Sequence, residues 1–141
     1  EPEVARTIAQ IANPALFVLD YEANTGGGEV LFKSMPEFIR ILRERHARVP
    51  ILVLSRIRFG KEWIQPQGKK NRGITLRFQR NLVRRLCAAG DQNIHFCPGS
   101  ELLGRDWEEC TVDGTHPTDL GFFRIAAALE PVLERILSGK R

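Results

Sequence analysis

Three short apolar runs, separated by segments of helical periodicity, constrain the fold of this 141-residue chain most strongly. The runs cover residues 15–20, 51–55 and 93–97, and their apolar character predicts strands buried on both faces of a sheet. Helices are predicted over residues 2–11, 34–48, 74–89 and 118–137. Because strands that alternate with helices pair in parallel through right-handed crossovers, the sequence predicts an α/β fold with a parallel sheet.

Capping and breaking residues set the predicted helix ends. Ser34 and Glu37 have the spacing of a capping box, which predicts that the second helix begins at Ser34. The polar stretch 60–73 is predicted to be a loop before the third helix, and Gly90 is predicted to cap the end of that helix. Pro131 is predicted to interrupt or kink the last helix.

A parallel sheet of only three strands would expose an apolar edge, a hazard that proteins normally cover. The chain begins at Glu1, and its single methionine is Met35. We therefore expect residues 1–141 to be the C-terminal portion of a single domain, with the first strand, first helix and second strand missing upstream. That missing part, or a second copy of the chain, is expected to cover the exposed edge.

The composition is typical of a globular domain, with 43% hydrophobic and 27% charged residues. No apolar run approaches the roughly 20 residues that a membrane helix needs. The three cysteines lack C-x-x-C spacing, which favours reduced, mostly buried thiols over disulfides or a zinc site. Their odd number leans slightly towards the cytoplasm, but upstream cysteines could reverse this, so the compartment stays open.

Positive charge is concentrated in one segment of the chain. Between Arg56 and Arg85 there are ten basic residues and one acid, Glu62, a charge of +9, whereas the remainder carries −5. Such a block could attract nucleic acid or an anionic group of a substrate. A solvated, cationic helix face is the alternative interpretation.

The most specific motif is Asp113 and His116, which lie three residues apart in the loop before the last helix. An imidazole can take a proton from a serine hydroxyl, and a carboxylate can orient and stabilise that imidazole. The same spacing is also typical of a capping and hydrogen-bonding arrangement, so the residues alone leave both interpretations open. A metal site is not predicted, because no third ligand has suitable local spacing.

SGNH (GDSL-like) hydrolases have a closing block that this chain resembles at Asp113-Gly114-Thr115-His116-Pro117 and at Leu120-Gly121-Phe122. The resemblance continues at residues 101–104 and 16–20 and covers nearly the whole chain. It implies a flavodoxin-like three-layer sandwich, incomplete in this chain, in which Asp113 and His116 are the catalytic acid–base pair. The family's nucleophilic serine, in a Gly-Asp-Ser-like segment, and its glycine N–H donor have no counterpart here.

The resemblance also implies an oxyanion-hole role for Asn24, which lies four residues beyond Asp20. In the family, an asparagine after the third strand points its amide into that hole. The common form Gly-x-Asn-Asp is replaced here by Glu22-Ala23-Asn24-Thr25, so both flanking positions depart from the pattern. An asparagine in a glycine-rich loop is otherwise a turn former.

None of the four serines is predicted to be the nucleophile. Ser34 is the predicted helix cap, Ser55 lacks the Gly-x-Ser-x-Gly elbow, and Ser100 and Ser138 have no catalytic context. The resemblance therefore implies a serine ester hydrolase whose nucleophile lies upstream, and which needs neither a metal nor an organic cofactor.

The expected substrate and partner is an acylated carbohydrate or another small ester. No membrane partner is expected. Two alternatives remain open at this point. One is a basic nucleic-acid-binding module built on residues 56–85, although no nucleic-acid-binding motif supports it. The other is a non-catalytic remnant of the same fold.

Overall fold

The computed structural model describes residues 2–26 and 28–139 of the chain. This part folds into one parallel sheet and four α-helices. In chain order the elements are α1 (Pro2–Ile8), β1 (Phe17–Leu19), α2 (Gly28–Arg45), β2 (Ile51–Leu54), α3 (Pro66–Ala88), β3 (Ile94–Cys97) and α4 (Asp119–Leu137). Short 3₁₀ turns follow each strand and also precede α4.

The sheet has the strand order β1-β2-β3, and both strand pairs are parallel, as predicted. Because side chains alternate along a strand, Ile51 and Val53 join one apolar cluster and Leu52 and Leu54 join the other. Helices α1, α2 and α3 pack on the first cluster, whereas α4 packs on the second through Ile136. The architecture is therefore the expected three-layer α/β sandwich.

Helix α2 begins at Gly28, so the prediction that Ser34 caps it is wrong. Ser34 lies inside the helix, and Pro36 is also inside it. Packing explains the earlier start, because Leu31 is fully buried and Phe32 contacts Phe78 with ring centroids 4.5 Å apart. Burial of these side chains outweighs the weak helix propensity of glycine.

Helix α3 begins at Pro66, eight residues before the predicted start at residue 74. Proline suits the first turn of a helix, where its missing N–H has no intrahelical acceptor. The first two turns are polar, and they include an exposed hydrogen bond from Gln67 to Asn71 at 2.8 Å. Without an apolar stripe, these turns resemble a loop in the sequence.

Helix α4 runs without a break through Pro131, so the predicted interruption does not occur. Proline cannot donate to the carbonyl of Ala127, but both residues lie on the exposed side of the helix. Water can therefore satisfy that carbonyl. At the other end, the Thr118 hydroxyl accepts a hydrogen bond from Gly121 N at 3.2 Å and caps the helix.

The outer strand β1 exposes apolar surface, as the thin sheet predicts. Val18 is 46% exposed, and it lines an open cavity of about 720 Å³ together with Val4 and Ile8 of α1. No helix in the described part of the chain combines the length and apolar character needed to cross a membrane.

Candidate active site

The loop that leads into α4 is folded by its own short-range hydrogen bonds. Thr111 and Pro117 form an antiparallel bridge, and Val112 N donates to His116 O at 2.9 Å. Gly114 has φ +80°, a left-handed conformation that glycine adopts without strain. Asp113 Oδ1 accepts from Thr115 N and from His116 N, at 2.9 and 2.8 Å. Such side-chain-to-backbone bonds are typical of aspartate turns.

This loop brings Asp113 and His116 together, with His116 Nδ1 only 2.6 Å from Asp113 Oδ2. The backbone N–H of His116, followed by its ring and the N–H of Thr115, lowers the pKa of Asp113 well below its usual range. An ionised carboxylate only accepts hydrogen bonds, so Nδ1 is the donor, and in the neutral imidazole Nε2 then carries the lone pair. The His116 side chain is 75% exposed, which leaves Nε2 open to a reacting group.

Contacts with the segment after β2 hold the loop at the carboxyl edge of the sheet. Lys61 N donates to Gly114 O at 3.1 Å. A Cβ atom at Gly60 would collide with Thr111 Oγ1, so only glycine permits this close approach. The loop that carries the Asp113–His116 pair is therefore attached to the 3₁₀ turn that follows the central strand.

A second clamp comes from Arg124 on the first turns of α4. Its guanidinium donates to Leu103 O at 2.9 Å and pairs with both carboxylate oxygens of Asp106, at 2.6 and 2.9 Å. The hydrogen bond from Arg124 lowers the pKa of Asp106. This bidentate pair ties residues 103–106 to α4 just before the Asp113–His116 loop.

Asn24 lies in the 3₁₀ turn Glu22–Thr25, directly after β1. Its backbone N–H donates to Tyr21 O at 3.0 Å, and its side chain is exposed at the mouth of the 720 Å³ cavity. Among the residues that the structure describes, no hydrogen bond joins Asn24 to Asp113 or His116. Asn24 thus follows the carboxyl end of β1 and makes no hydrogen bond to the bonded Asp113–His116 pair within the described residues.

Sequence reasoning missed a buried ion network beside this edge, formed by Glu22, Arg56, Glu62 and Arg72. Arg56 pairs with Glu62 at 2.6 Å and lies 3.5 Å from Glu22, and Arg72 pairs with Glu62 at 3.0 Å. Two cations of the basic segment, Arg56 and Arg72, are therefore neutralised inside the protein. The remaining basic residues of α3 are mostly exposed, as expected for a solvated, cationic helix face (Lys69, Lys70, Arg77, Arg84 and Arg85). The lone acid in the segment, Glu62, was the available signal.

Hydrogen bonds extend this network to α3. Glu22 Oε2 accepts from Arg56 N at 2.8 Å and from Gln79 Nε2 at 2.6 Å, and Oε1 accepts from Thr75 Oγ1 at 2.5 Å. One buried carboxylate thus connects the turn that carries Asn24 with the segment after β2 and with α3. Since that segment also holds the Asp113–His116 loop, the network braces both halves of the candidate site.

No serine in the described part of the chain is placed to attack a substrate beside His116. Ser55 is fully buried, and its hydroxyl accepts a hydrogen bond from Gly99 N at 3.0 Å. Ser34 lies inside α2, Ser100 is buried, and the Ser138 hydroxyl donates to Arg135 O at the end of α4. Within residues 2–26 and 28–139, no three His, Cys, Asp or Glu side chains are grouped so that they could hold a metal ion.

Solved structures share this fold. A GDSL-like lipase from Bacteroides ovatus ATCC 8483 superimposes with a TM-score of 0.88 and 29% identity, over 98% of this chain and 40% of that chain. The salicylyl-acyltransferase SsfX3 from a tetracycline biosynthetic pathway gives 0.72 and 24% identity, over 96% of this chain and 41% of that chain. The present chain thus spans about two fifths of either protein.

The sequence itself identifies the family. This chain belongs to the GDSL-like Lipase/Acylhydrolase family, whose sequence profile matches residues 1–134. No curated protein sequence matches the chain.

Proposed function

We propose that this chain is the acid–base part of a serine esterase or acylhydrolase. The observation that carries the proposal is the 2.6 Å contact between His116 Nδ1 and Asp113 Oδ2, which leaves Nε2 exposed and able to accept a proton. The family to which the chain belongs supports the same chemistry. The proposed substrate is an ester of a carbohydrate or of another small molecule.

In the proposed mechanism, polypeptide outside these 141 residues supplies the serine hydroxyl. His116 Nε2 takes the hydroxyl proton while the serine oxygen bonds to the ester carbonyl carbon, and the carbonyl oxygen becomes an oxyanion. When the carbonyl re-forms, the bond to the leaving alcohol breaks and that alcohol takes the proton from Nε2. Asp113 stabilises the imidazolium that exists between these two steps.

Water completes the cycle. It gives a proton to Nε2 while its oxygen bonds to the acyl carbon, and the serine oxygen then leaves and recovers that proton from Nε2. The products are a carboxylic acid and the free enzyme. If another alcohol replaces water, the same steps transfer the acyl group instead.

We assign the oxyanion-binding role to Asn24. Its position at the carboxyl end of β1 and its exposed amide support this assignment. Glu22, anchored by Arg56 N, Thr75 and Gln79, would hold the turn in place. An amide that is fixed in advance needs little reorganisation when charge develops on the carbonyl oxygen.

A nucleic-acid-binding role is less well supported. Arg56 and Arg72 are committed to Glu62, and this reduces the positive field of the basic segment. Such a role requires affinity that falls steeply as salt concentration rises, because bound counterions are released.

A serine-directed fluorophosphonate probe tests the proposal on the full-length protein. Labelling and ester hydrolysis are expected in the wild type, and His116→Ala should lower the rate of hydrolysis about 10⁶-fold. Asp119→Asn serves as a control, because Asp119 lies in the adjacent first turn of α4 with no place in the proposed mechanism. Equal activity of the His116→Ala and Asp119→Asn variants would overturn the proposal.

A further inference from the structure

A cleft of about 430 Å³ lies beside the Gly60–Trp63 turn and the start of α3, and it borders the buried network at Glu62 and Arg72. Trp63 and Trp107 form its walls, with ring centroids 6.5 Å apart in an edge-to-face arrangement. Trp63 is 70% exposed and the adjacent Ile64 is 75% exposed, so neither side chain serves the core. A large aromatic surface that the fold does not use is available to a ligand.

The cleft also carries uncompensated positive charge. Glu62 is its acid, but Arg56 and Arg72 already occupy the carboxylate. Arg58 and Lys69 line the cleft and have no salt bridge within the described residues. Arg58 Nε is buried without a hydrogen-bond partner there, and the Arg58 guanidinium lies 5.7 Å from the Trp107 ring centroid. A buried donor without a partner costs stability unless a ligand satisfies it.

The cleft adjoins the Asp113–His116 loop. Trp107 begins the 3₁₀ turn Trp107–Cys110 that leads directly into that loop. On the opposite wall, Lys61 precedes Trp63 by two residues and holds Gly114 through its backbone N–H. A substrate whose reacting ester lies at His116 can therefore extend into the cleft.

We propose that the cleft binds a ring that bears a carboxylate, as the part of the ester substrate that does not react. The ring packs on Trp63, and the carboxylate accepts hydrogen bonds from Arg58 and Lys69. A planar carboxylate matches the fork of an arginine Nε and Nη, whose charge-assisted bonds are stronger than neutral ones. Sugar acids and aromatic acids share this chemistry. The inference rests on the proposed esterase function.

Binding can be measured without catalysis, on the full-length protein labelled with ¹⁵N-tryptophan. The indole N–H signals of Trp63 and Trp107 are followed by NMR during titration with two matched pairs, D-glucuronate against D-glucose and 4-hydroxybenzoate against 4-hydroxybenzamide. The acid of one pair is expected to bind about 10-fold more tightly than its neutral partner, roughly the effect of one charge-assisted hydrogen bond. The pair that shows this difference identifies whether the bound ring is a sugar acid or an aromatic acid.

Variants locate the binding. Arg58→Gln or Lys69→Gln should remove the preference for the acid, and Trp63→Ala should weaken both members of the pair. Arg84→Gln is the control, because it removes the same charge from an exposed position on α3. Lys69 is exposed, so its variant keeps the test valid even if Arg58→Gln fails to fold. An Arg58→Gln or Lys69→Gln variant that keeps the preference as fully as Arg84→Gln would overturn the inference.

A hydrolysis assay separates this inference from the proposed function. The values of kcat/KM are compared for 4-acetoxybenzoate and 4-acetoxybenzamide, and the charged ester should be favoured about 10-fold if the aromatic pair binds. Indole shifts with the acid but no hydrolysis of either ester would support the cleft and count against the esterase. Hydrolysis of both esters at equal rates, without indole shifts from either acid, would overturn the cleft and leave the esterase standing.

Discussion

Glu22→Gln tests whether the buried network braces the carboxyl edge of the sheet. Glu22 is only 5% exposed, and its two oxygens accept three hydrogen bonds, from Arg56 N, Thr75 and Gln79. Glutamine keeps the shape but replaces one oxygen with an NH₂ group. In the place of Oε2, the NH₂ group would face the Arg56 and Gln79 donors. We therefore expect it in the place of Oε1, where the Thr75 hydroxyl can also accept a hydrogen bond.

The decrease in the free energy of unfolding that Glu22→Gln causes follows from the contacts that change. The hydrogen bonds to Glu22 lose their ionic character, which costs on the order of 1 kcal/mol for each bond. The 3.5 Å ion pair with Arg56 is also lost, but Arg56 keeps Glu62 at 2.6 Å. Full loss of a buried pair would cost about 3–5 kcal/mol, so we expect a decrease of about 2–4 kcal/mol in the free energy of unfolding.

Thermal or urea unfolding of the full-length protein measures this decrease. At about 2–4 °C per kcal/mol, Tm should fall by roughly 4–16 °C. Glu37→Gln is the matched control, since it makes the same substitution in an exposed pair with Arg40 on α2 and should change Tm little. If the two variants have the same Tm, the buried network does not stabilise this edge of the sheet.

Other predictions concern single residues. Asp113→Asn should lower kcat about 10²–10⁴-fold, because the neutral amide no longer stabilises the imidazolium, as steady-state kinetics will show. Asn24→Ala should lower kcat about 10²–10³-fold with little change in KM. Ser55→Ala should keep kcat but lower the free energy of unfolding by about 1–3 kcal/mol, because Gly99 N loses its acceptor; loss of kcat instead would make Ser55 the nucleophile. Burial and then Arg135 lower the pKa of His95, so the unfolded chain binds this proton at higher pH than the folded chain. Stability should therefore decrease as pH falls below about 6.5, and denaturant titrations of His95→Gln should show a weaker decrease.

Much of the fold could be predicted from the sequence because strand burial and helix periodicity leave strong patterns. The apolar runs ending at Asp20, Ser55 and Cys97 are strands, and they pair in parallel as the alternation with helices required. Helix starts were less predictable. Helix α2 begins at Gly28 because residues of its first turns pack in the interior, and α3 begins at Pro66 with two polar turns. Neither start has a periodic apolar signature.

Within the candidate site, contacts between residues near in sequence could be predicted, whereas contacts between distant residues could not. Asp113 and His116 are close in sequence, so their contact could be predicted from local geometry alone, although their catalytic role stays a prediction. Glu22 and Arg56 are 34 residues apart, and their contact depends on how the sheet brings the ends of β1 and β2 together. Charged residues are mostly exposed in proteins, so a buried ion pair between distant positions gives no signal in one sequence.

The hydrogen bonds that orient Asp113 and His116 come from residues 112–116 themselves. The orientation of the His116 imidazole is therefore set within residues 112–116. Its distance from the reacting hydroxyl depends instead on the elements that hold this loop. Changes in those elements can shift the rate without disturbing the dyad. The substrate range of the enzyme can therefore change while the Asp113–His116 geometry for proton transfer is kept.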